Sequence, residues 1–290
     1  MDVTARAFFS GLVGLWLAAS GGAFAAVPAV VDTVQAPAWL ERGGRVQPLA
    51  PDTALQSGDT VRTGAGGRAY LALAEGSMVK LGESARFSLH TRSVDPRRLF
   101  KGALDVAAGA FRFTTGLLGG RSARDVSIRV ATATIGIRGT DVWGKAGADR
   151  DLVALIEGRI ELTRGGEPLD IQPMNIMDAP KGGAATVGVL EPARLAVLAR
   201  ETEIEPGDGA HRGRGKWAID LGTHADQSSA LDVFDRAREA GYSARLRPIA
   251  AEGGGWRYEV KVRGYATRQE AEVAAARLAA ASRLDARAAR

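Results

Sequence analysis

Between about residues 45 and 178, short runs of β-forming residues alternate with glycine-containing turns, and this pattern constrains the fold more than any other feature. Residues 60–63, 68–74 and 78–81 each alternate apolar and polar side chains, and few helical patterns interrupt such runs. Residues 152–164 are interpreted as a hairpin that turns at its Glu-Gly pair. The period-two runs predict an all-β module of many short strands, arranged either as a sandwich or as a solenoid-like stack.

The stretch TATIGIRGT, at residues 132–140, places an arginine beside glycines within a run of β-formers. In a strand, its two isoleucines face one side and Arg138 faces the other. Arg138 either reads a ligand as a cation or lies buried at a sheet corner, bonded to carbonyls or to a carboxylate. We favour the buried arrangement, in which Gly139 allows a close backbone approach and Thr140 bonds nearby, because a buried arginine must be paired.

The composition changes after the β module. Residues 192–202 predict a short helix with Pro192 in its first turn. The next stretch, EIEPGDGAHRGRG, carries proline, glycine and mixed charges without apolar periodicity. We therefore predict that residues 179–212 form a flexible linker that contains one short helix.

Residues 213–290 repeat one pattern, in which a strand is followed by a glycine and then by a helix with a polar start. Gly222 and Gly264 occupy matching points of the two repeats. With a weak final strand near residues 284–288, the pattern predicts a small α+β module of βαβ-βαβ order, with a four-stranded antiparallel sheet and two helices on one face. The predicted strands cover residues 216–224, 243–249 and 256–265, and the predicted helices cover residues 228–240 and 267–282.

The first residues are typical of a secretory signal peptide. Arg6 precedes an apolar run at residues 7–19, and Ala23-Phe24-Ala25 supplies a small-x-small cleavage site. The apolar run is shorter than the roughly 20 residues that a membrane span needs, although an uncleaved anchor is the alternative. We expect cleavage after Ala25, a periplasmic mature protein and no stable transmembrane segment. The predicted units are a signal peptide (1–25), a β domain (26–178), a linker (179–212) and a C-terminal module (213–290).

The sequence argues against an enzyme. It has no cysteine, and its three histidines show none of the spacings of metal ligands. It carries neither a nucleophile elbow nor a dinucleotide fingerprint, so we predict no catalytic residue, no metal site and no cofactor. The net positive charge belongs to residues 212–290, with 15 Lys and Arg against 10 Asp and Glu. Export makes nucleic acid the weakest of the anionic partners that such a basic surface attracts.

Four pieces of the β module occur in a specific order: LQSGDTVRTG, GRAYLALAEGSMVKLG, TATIGIRGTDVW and VALIEGRIEL. On these pieces, residues from about 45 to 160 resemble a FecR-type periplasmic domain. The resemblance implies a repetitive, β-rich fold and makes Arg138, Gly139 and Thr140 a structural hallmark. Well-known members relay receptor signals to a sigma factor through a cytoplasmic helical segment and a membrane span. Neither pattern precedes the β module in this sequence, so we do not carry over the anti-sigma role.

The C-terminal module contains WAIDLGTH, an AGY turn after the first helix and YEVKVRGYATRQEAE. On these pieces, it resembles a SPOR (sporulation-related repeat) domain. The resemblance implies a sheet similar in shape to RNA-binding modules. It also implies binding to peptidoglycan glycan strands that lack stem peptides, on the sheet face opposite the helices.

Alternation predicts which side chains lie on that face, because the apolar residues of each strand turn toward the helices. Outward charged groups suit sugar hydroxyl and acetamide groups, although a merely solvated face is the alternative. Trp217 and Trp256 are predicted to pack in the core rather than to stack on a ligand. Asp220 and His224 replace the family's usual glutamine and aromatic residue, which bears on the tightness of glycan binding. The predicted glycan-binding residues are Asp220, Arg245, Arg257, Glu259 and Lys261.

These features predict an exported cell-envelope binding protein. Its SPOR-type domain would attach to peptidoglycan glycan strands, while its FecR-type domain would hold a second partner, either protein or glycan. The alternative is a periplasmic signalling regulator related to receptor-coupled FecR proteins. We expect no nucleic-acid partner, because export and the lack of outward aromatic residues argue against base stacking.

Overall fold

The structure is a computed structural model that describes residues 27–95, 99–116 and 123–290. The predicted signal peptide lies outside the described residues. Within them, no helix is both long enough and apolar enough to cross a membrane.

The first fifteen strands of the described chain build the β domain. The first eight are β1 at Ala29–Gln35, β2 at Ala38–Arg42, β3 at Arg45–Pro48, β4 at Ala54–Leu55, β5 at Thr60–Thr63, β6 at Arg68–Leu73, β7 at Met78–Leu81 and β8 at Arg86–Asp95. The other seven are β9 at Leu99–Thr114, β10 at Ala123–Val130, β11 at Ala133–Ala146, β12 at Arg150–Arg164, β13 at Glu167–Leu169, β14 at Asn175–Pro180 and β15 at Thr186–Val189.

Three long strands, β9, β11 and β12, pair with different neighbours at their two ends. One half of β9 pairs with β8 and β10, and the other half pairs with β7 and β11. Similarly, β11 pairs with β10 at one end and with β9 at the other. β12 pairs with β13 at one end and with β14 at the other. These strands therefore pass from one layer to the other of a two-layer sandwich, in which the layers share their longest strands.

The inward side chains of both layers meet in one apolar core. Along β9, Leu104 and Val106 are buried in one half, and Phe111 and Phe113 are buried in the other. All four belong to the same apolar cluster, although two lie in each half of the strand. The prediction of an all-β domain of many short strands is confirmed, and its arrangement is the sandwich.

The predicted hairpin within residues 152–164 is wrong, because β12 continues through Gly158 as one strand. Gly139 and Gly158 both have positive φ, +63° and +89°, where the register of the β11–β12 pairing shifts. A Cβ on Gly158 would collide with the carbonyl oxygen of Gly139, so only glycine fits where the two strands bend together. The glycine that suggested a turn instead carries the strand from one layer to the other.

The segment after β15 is packed, which corrects the predicted flexible linker. It forms helix α1 (Pro192–Thr202) with proline in its first turn, as predicted. Leu198 of α1 joins Trp143 and Ala154, which lie on the other face of the sandwich layer, in a second small apolar cluster. The apolar pattern of this helix is too short to reveal such packing in the sequence.

The acidic residues after α1 are bound to the β domain rather than solvated. Glu201 accepts a hydrogen bond from Lys145 Nζ at 2.8 Å, and Glu203 accepts one from Lys80 Nζ at 2.7 Å. The backbone N–H of Ile204 donates to the hydroxyl of Tyr70 at 2.6 Å. Mixed charge here reflects specific ion pairs between residues that lie 56 and 123 positions apart in the chain, which composition does not show.

The C-terminal module has the predicted α+β architecture. Its strands pair in the order β18-β19-β17-β20, and every pair is antiparallel. The weak final strand is present, displaced by a few residues from its predicted position. The elements are β17 at Trp217–His224, α2 at Gln227–Glu239, β18 at Arg245–Ala250, β19 at Trp256–Tyr265, α3 at Arg268–Ser282 and β20 at Arg287–Ala289.

A two-residue strand, β16 (Ala210–His211), joins the β domain to the C-terminal sheet. His211 pairs with Val34 of β1 and also with Tyr265 of β19. The backbone N–H of Ala38 also donates to the carbonyl of Gly241, at 3.4 Å. Backbone pairing thus continues from one module into the other.

Candidate functional site

The C-terminal sheet has one face covered by helices and one face without them. Ile219, Val260 and Val262 turn toward α2 and α3 and are almost fully buried. Because side chains alternate along a strand, their neighbours in β17 and β19 point to the opposite side. We call that side the helix-free face, and it carries the five predicted glycan-binding residues.

Three of the predicted residues lie next to one another across this face. Asp220 of β17 is the register partner of Lys261 of β19, which is in turn the partner of Arg245 of β18. Arg287 of β20 extends the row, because it pairs with Asp220 on the other side. The sequence did not point to Arg287, since its strand is three residues long and has no apolar alternation.

Glu259 lies beside this row and forms the centre of an ion-pair cluster. It contacts Lys261 at 2.7 Å, Arg263 at 2.8 Å and Arg247 at 3.3 Å. Burial alone would raise the pKa of Glu259, but hydrogen bonds from Lys261 and Arg263 and their positive charge outweigh it, so the pKa is lowered. Its side chain is only 12% exposed, so Glu259 fixes the cations around it more than it meets solvent.

Arg257 shares the face but lies apart from the row. It stands four residues from Lys261 along β19, which is roughly 13 Å in an extended strand. It is exposed, and its guanidinium donates to the carbonyl of Thr223 at 3.4 Å. The structure thus brings Asp220, Arg245, Glu259 and Lys261 together and leaves Arg257 near the start of β19, away from the row.

A shallow cavity of about 330 Å³ opens beside Asp220, between the end of β17 and the residues before β20. One carboxylate oxygen of Asp220 accepts a hydrogen bond from the N–H of Gly222 at 3.1 Å, which fixes its orientation. His224, the second departure from the family pattern, also lines this cavity, and its ring contacts the carbonyl of Leu221.

The two tryptophans have different surroundings. Trp217 is partly buried and packs against the apolar core of the module, as predicted. Trp256 is 62% exposed, so its predicted place in the core is wrong. Trp256 is the first residue of β19. By alternation it lies on the same side of the strand as Tyr258 and Val260, but it does not pack against the core.

The hallmark residues of the β domain lie at the bend of β11. Arg138 is exposed, and within the described chain it has neither a hydrogen bond nor an ion pair, so the favoured buried arrangement is wrong. Gly139 supplies the positive φ of the bend. Thr140 is buried, and its N–H donates to the hydroxyl of Thr115 at 2.9 Å. Glycine and threonine are structural here, whereas arginine is not.

No group of histidines and carboxylates that could hold a metal ion occurs in residues 27–95, 99–116 and 123–290. His90 is exposed on β8, His211 is buried in β16, and His224 lies at the end of β17.

Comparison with known proteins agrees with both modules. The family model described as FecR protein matches residues 59–161, and that of the SPOR domain matches residues 213–286. A search of curated proteins found no match. Two crystal structures of a candidate anti-sigma factor from Parabacteroides distasonis ATCC 8503 are similar. One was determined at 2.50 Å resolution and has 12% sequence identity and a TM-score of 0.40. The similarity covers 48% of this chain and 63% of that chain. The other, at 1.65 Å, has 10% identity and a TM-score of 0.39 over 67% of this chain and 95% of that chain.

SPOR domains bind peptidoglycan, and FecR-like domains occur in signalling regulators. Both are binding or regulatory domains rather than catalytic ones, and together they suggest a cell-envelope location. The identity and order of the two matches agree with the two resemblances found in the sequence. The chain carries a FecR domain followed by a SPOR domain.

Proposed function

We propose that this chain is an exported, non-enzymatic protein of the periplasm that attaches to peptidoglycan glycan strands and presents its FecR domain to another partner. Residues 1–25 would direct export as a cleaved signal peptide. The observation that carries the proposal is the row of Asp220, Lys261 and Arg245 on the helix-free face of the SPOR sheet.

This row offers donors and acceptors in a fixed arrangement. Adjacent strands are roughly 4.8 Å apart, so the three side chains rise from neighbouring backbone positions. The ion pair between Lys261 and Glu259 and the hydrogen bond from Gly222 to Asp220 hold two of them in place. Neutral, hydroxyl-rich sugars are recognised by such preorganised hydrogen-bonding groups, because little side-chain entropy is lost on binding.

Substitutions in the row test the proposal. Lys261→Ala and Asp220→Asn in the mature full-length chain should each lower retention on peptide-stripped glycan strands about tenfold, as expected for loss of one charge-assisted hydrogen bond. Arg268→Ala removes a cation from an exposed ion pair on α3 and should leave retention unchanged. Equal retention of all three variants, each with a wild-type melting temperature, would exclude this face as the binding surface.

The second candidate, a periplasmic signalling regulator, is supported by the FecR domain itself. In that role, wall attachment would be incidental. Cells that carry Lys261→Ala would then keep the wild-type transcript profile, while cells without the protein would lose it. Under the first proposal, no set of transcripts depends on the presence of the protein.

A further inference from the structure

Two arginines face each other on the outer surface of the FecR domain without a structural role. Arg138 of β11 is the register partner of Arg159 of β12, and both are exposed. Directly opposed residues in an antiparallel pair have Cβ atoms roughly 4.5–5.5 Å apart, and like charges at that distance are destabilising. Within the described part of the chain, neither guanidinium has a hydrogen-bond or ion-pair partner.

Three other arginines on the strands of this domain have carboxylate partners. Arg112 contacts Asp141 at 2.6 Å, and Arg86 contacts Glu41 at 2.6 Å. Arg129 lies 3.5 Å from Asp105. Arg138 and Arg159 differ from these three because each faces another arginine instead of a carboxylate, and a bound anion would remove their repulsion.

Beside this pair, small side chains form the floor of a trough across the strands. Ala103 of β9 is the register partner of Ser127 of β10, which is in turn the partner of Gly136 of β11. All three lie on the outer face. His90 stands at one end of this row and Glu161 at the other. A groove of about 550 Å³ follows the row from His90 to Ser127.

The walls of the trough carry charges of both signs. Lys101 lies 3.6 Å from Asp125 on one side, and Arg129 lies 3.5 Å from Asp105 on the other. Two cations stand against these two carboxylates and Glu161, so outside the arginine pair the trough offers a uniformly anionic polymer no net attraction. A peptide that places one carboxylate at the arginine pair, with neutral residues over the small floor, uses the positive charge where it is concentrated.

We propose that this trough binds an extended segment of a partner protein and that Arg138 and Arg159 hold one Asp or Glu carboxylate of that segment. Guanidinium groups bind carboxylates through paired hydrogen bonds. The small floor lets the backbone of the segment approach the sheet. The inference rests on the proposed role of the FecR domain in holding a second partner, and it does not depend on glycan binding.

Selection from a displayed library of random heptapeptides, with the mature full-length chain as target, tests the proposal. We expect enrichment of Asp or Glu at one position. Arg138→Gln and Arg159→Gln should each weaken binding of a selected peptide at least about tenfold, because each removes hydrogen bonds to a charged group. Arg194→Gln, at an exposed arginine of α1, is the matched control and should change nothing.

Gly136→Val gives a second variant that leaves all charges in place. Gly136 lacks a left-handed backbone, and the nearest atom to a Cβ there would be Cβ of Glu161, at an ordinary contact distance of 3.5 Å, so a variant with a β-branched residue should fold. It fills the floor of the trough and should weaken the same peptide comparably.

Three results would overturn the inference: selected peptides without an acidic position, binding that survives both arginine substitutions, or equal competition by polygalacturonate, an anionic polysaccharide. Arg138→Gln should still bind glycan strands. A protein that binds the acidic peptide but no glycan would refute wall attachment and leave this inference standing, so the two failures are distinguishable.

Discussion

Arg138 and Gly139 are neighbours in the sequence but have unrelated tasks in the structure. Gly139 adopts a positive φ where β11 bends between the layers, beside Gly158 of β12. Arg138 points to solvent from the same bend. A recognisable motif therefore combines a residue that the backbone requires with a residue that the fold does not use.

Gly158→Ala should lower the free energy of unfolding of the β domain by more than the strain of a positive φ alone would. Gly158 (φ +89°) and Gly166 (φ +87°) have nearly the same backbone, but a Cβ on Gly158 collides with Gly139, whereas one on Gly166 meets nothing within 4 Å. We expect Gly166→Ala to cost about 1 kcal/mol from φ strain alone. Gly158→Ala should cost a further ~1–3 kcal/mol for the steric conflict. Urea denaturation measures both, and equal losses would contradict the proposed close approach.

His211 makes the stability of the protein depend on pH. Burial lowers the pKa of His211 to about 4 from its ordinary 6.5, and the positive charge of Arg245 acts in the same direction. The unfolded chain therefore binds a proton at higher pH than the folded chain does. Stability is fully present above about pH 6.5 and falls as the pH drops toward 4, by on the order of 3 kcal/mol.

The measurement is urea denaturation of the wild type and of His211→Gln between pH 7 and pH 4. The wild type should lose more stability than the variant across this window. His90→Gln, at an exposed position, serves as the control. Parallel stability curves for the wild type and His211→Gln would show that His211 is not buried as described.

At the scale of elements, α3 holds the segment that leads into β16. Glu270 is 3% exposed, and its two carboxylate oxygens accept hydrogen bonds from the N–H groups of Gly207 and Ala210. Glu270→Ala would leave two inward N–H groups without partners, which should cost about 2–4 kcal/mol.

Glu272 provides the matched control for this prediction. It lies two residues after Glu270 on the same helix, is 50% exposed and pairs with Arg268. Because exposed ion pairs contribute little, Glu272→Ala should cost less than about 0.5 kcal/mol. Similar losses for Glu270→Ala and Glu272→Ala in thermal unfolding would contradict the anchoring role of Glu270.

The elements that the sequence predicted well are those defined by local pattern. Helix α2 begins one residue before its predicted start and ends before Gly241, which has the expected positive φ of +80°. The strands of the SPOR sheet follow their alternation for the same reason. By contrast, the packing of Glu201 and Glu203 depends on lysines that lie far away in the chain. Such pairing has no periodic signature, so composition suggested a flexible linker.

The candidate site shows the same division. Alternation along β19 placed Glu259 and Lys261 on one face, and their register partners followed from the antiparallel order. The surroundings of Arg138 and Trp256 depended on which residues cover the ends of strands, and that is set by the tertiary arrangement. Both were therefore predicted wrongly as buried.

At the scale of the whole molecule, the two domains are joined by paired backbone. Because β16 pairs with β1 of the FecR domain and with β19 of the SPOR domain, attachment through the SPOR sheet would also hold the FecR domain near the wall. A partner of the FecR domain would then be concentrated at the same place without any chemical step.

The most direct test of this account is the binding of the mature full-length chain to purified glycan strands, with and without their stem peptides, measured by co-sedimentation. The account predicts retention on stripped strands, weaker retention on strands that keep their peptides, and about tenfold lower retention for Lys261→Ala. If the wild-type protein remains in the supernatant with both kinds of strand, the central claim of wall attachment is wrong.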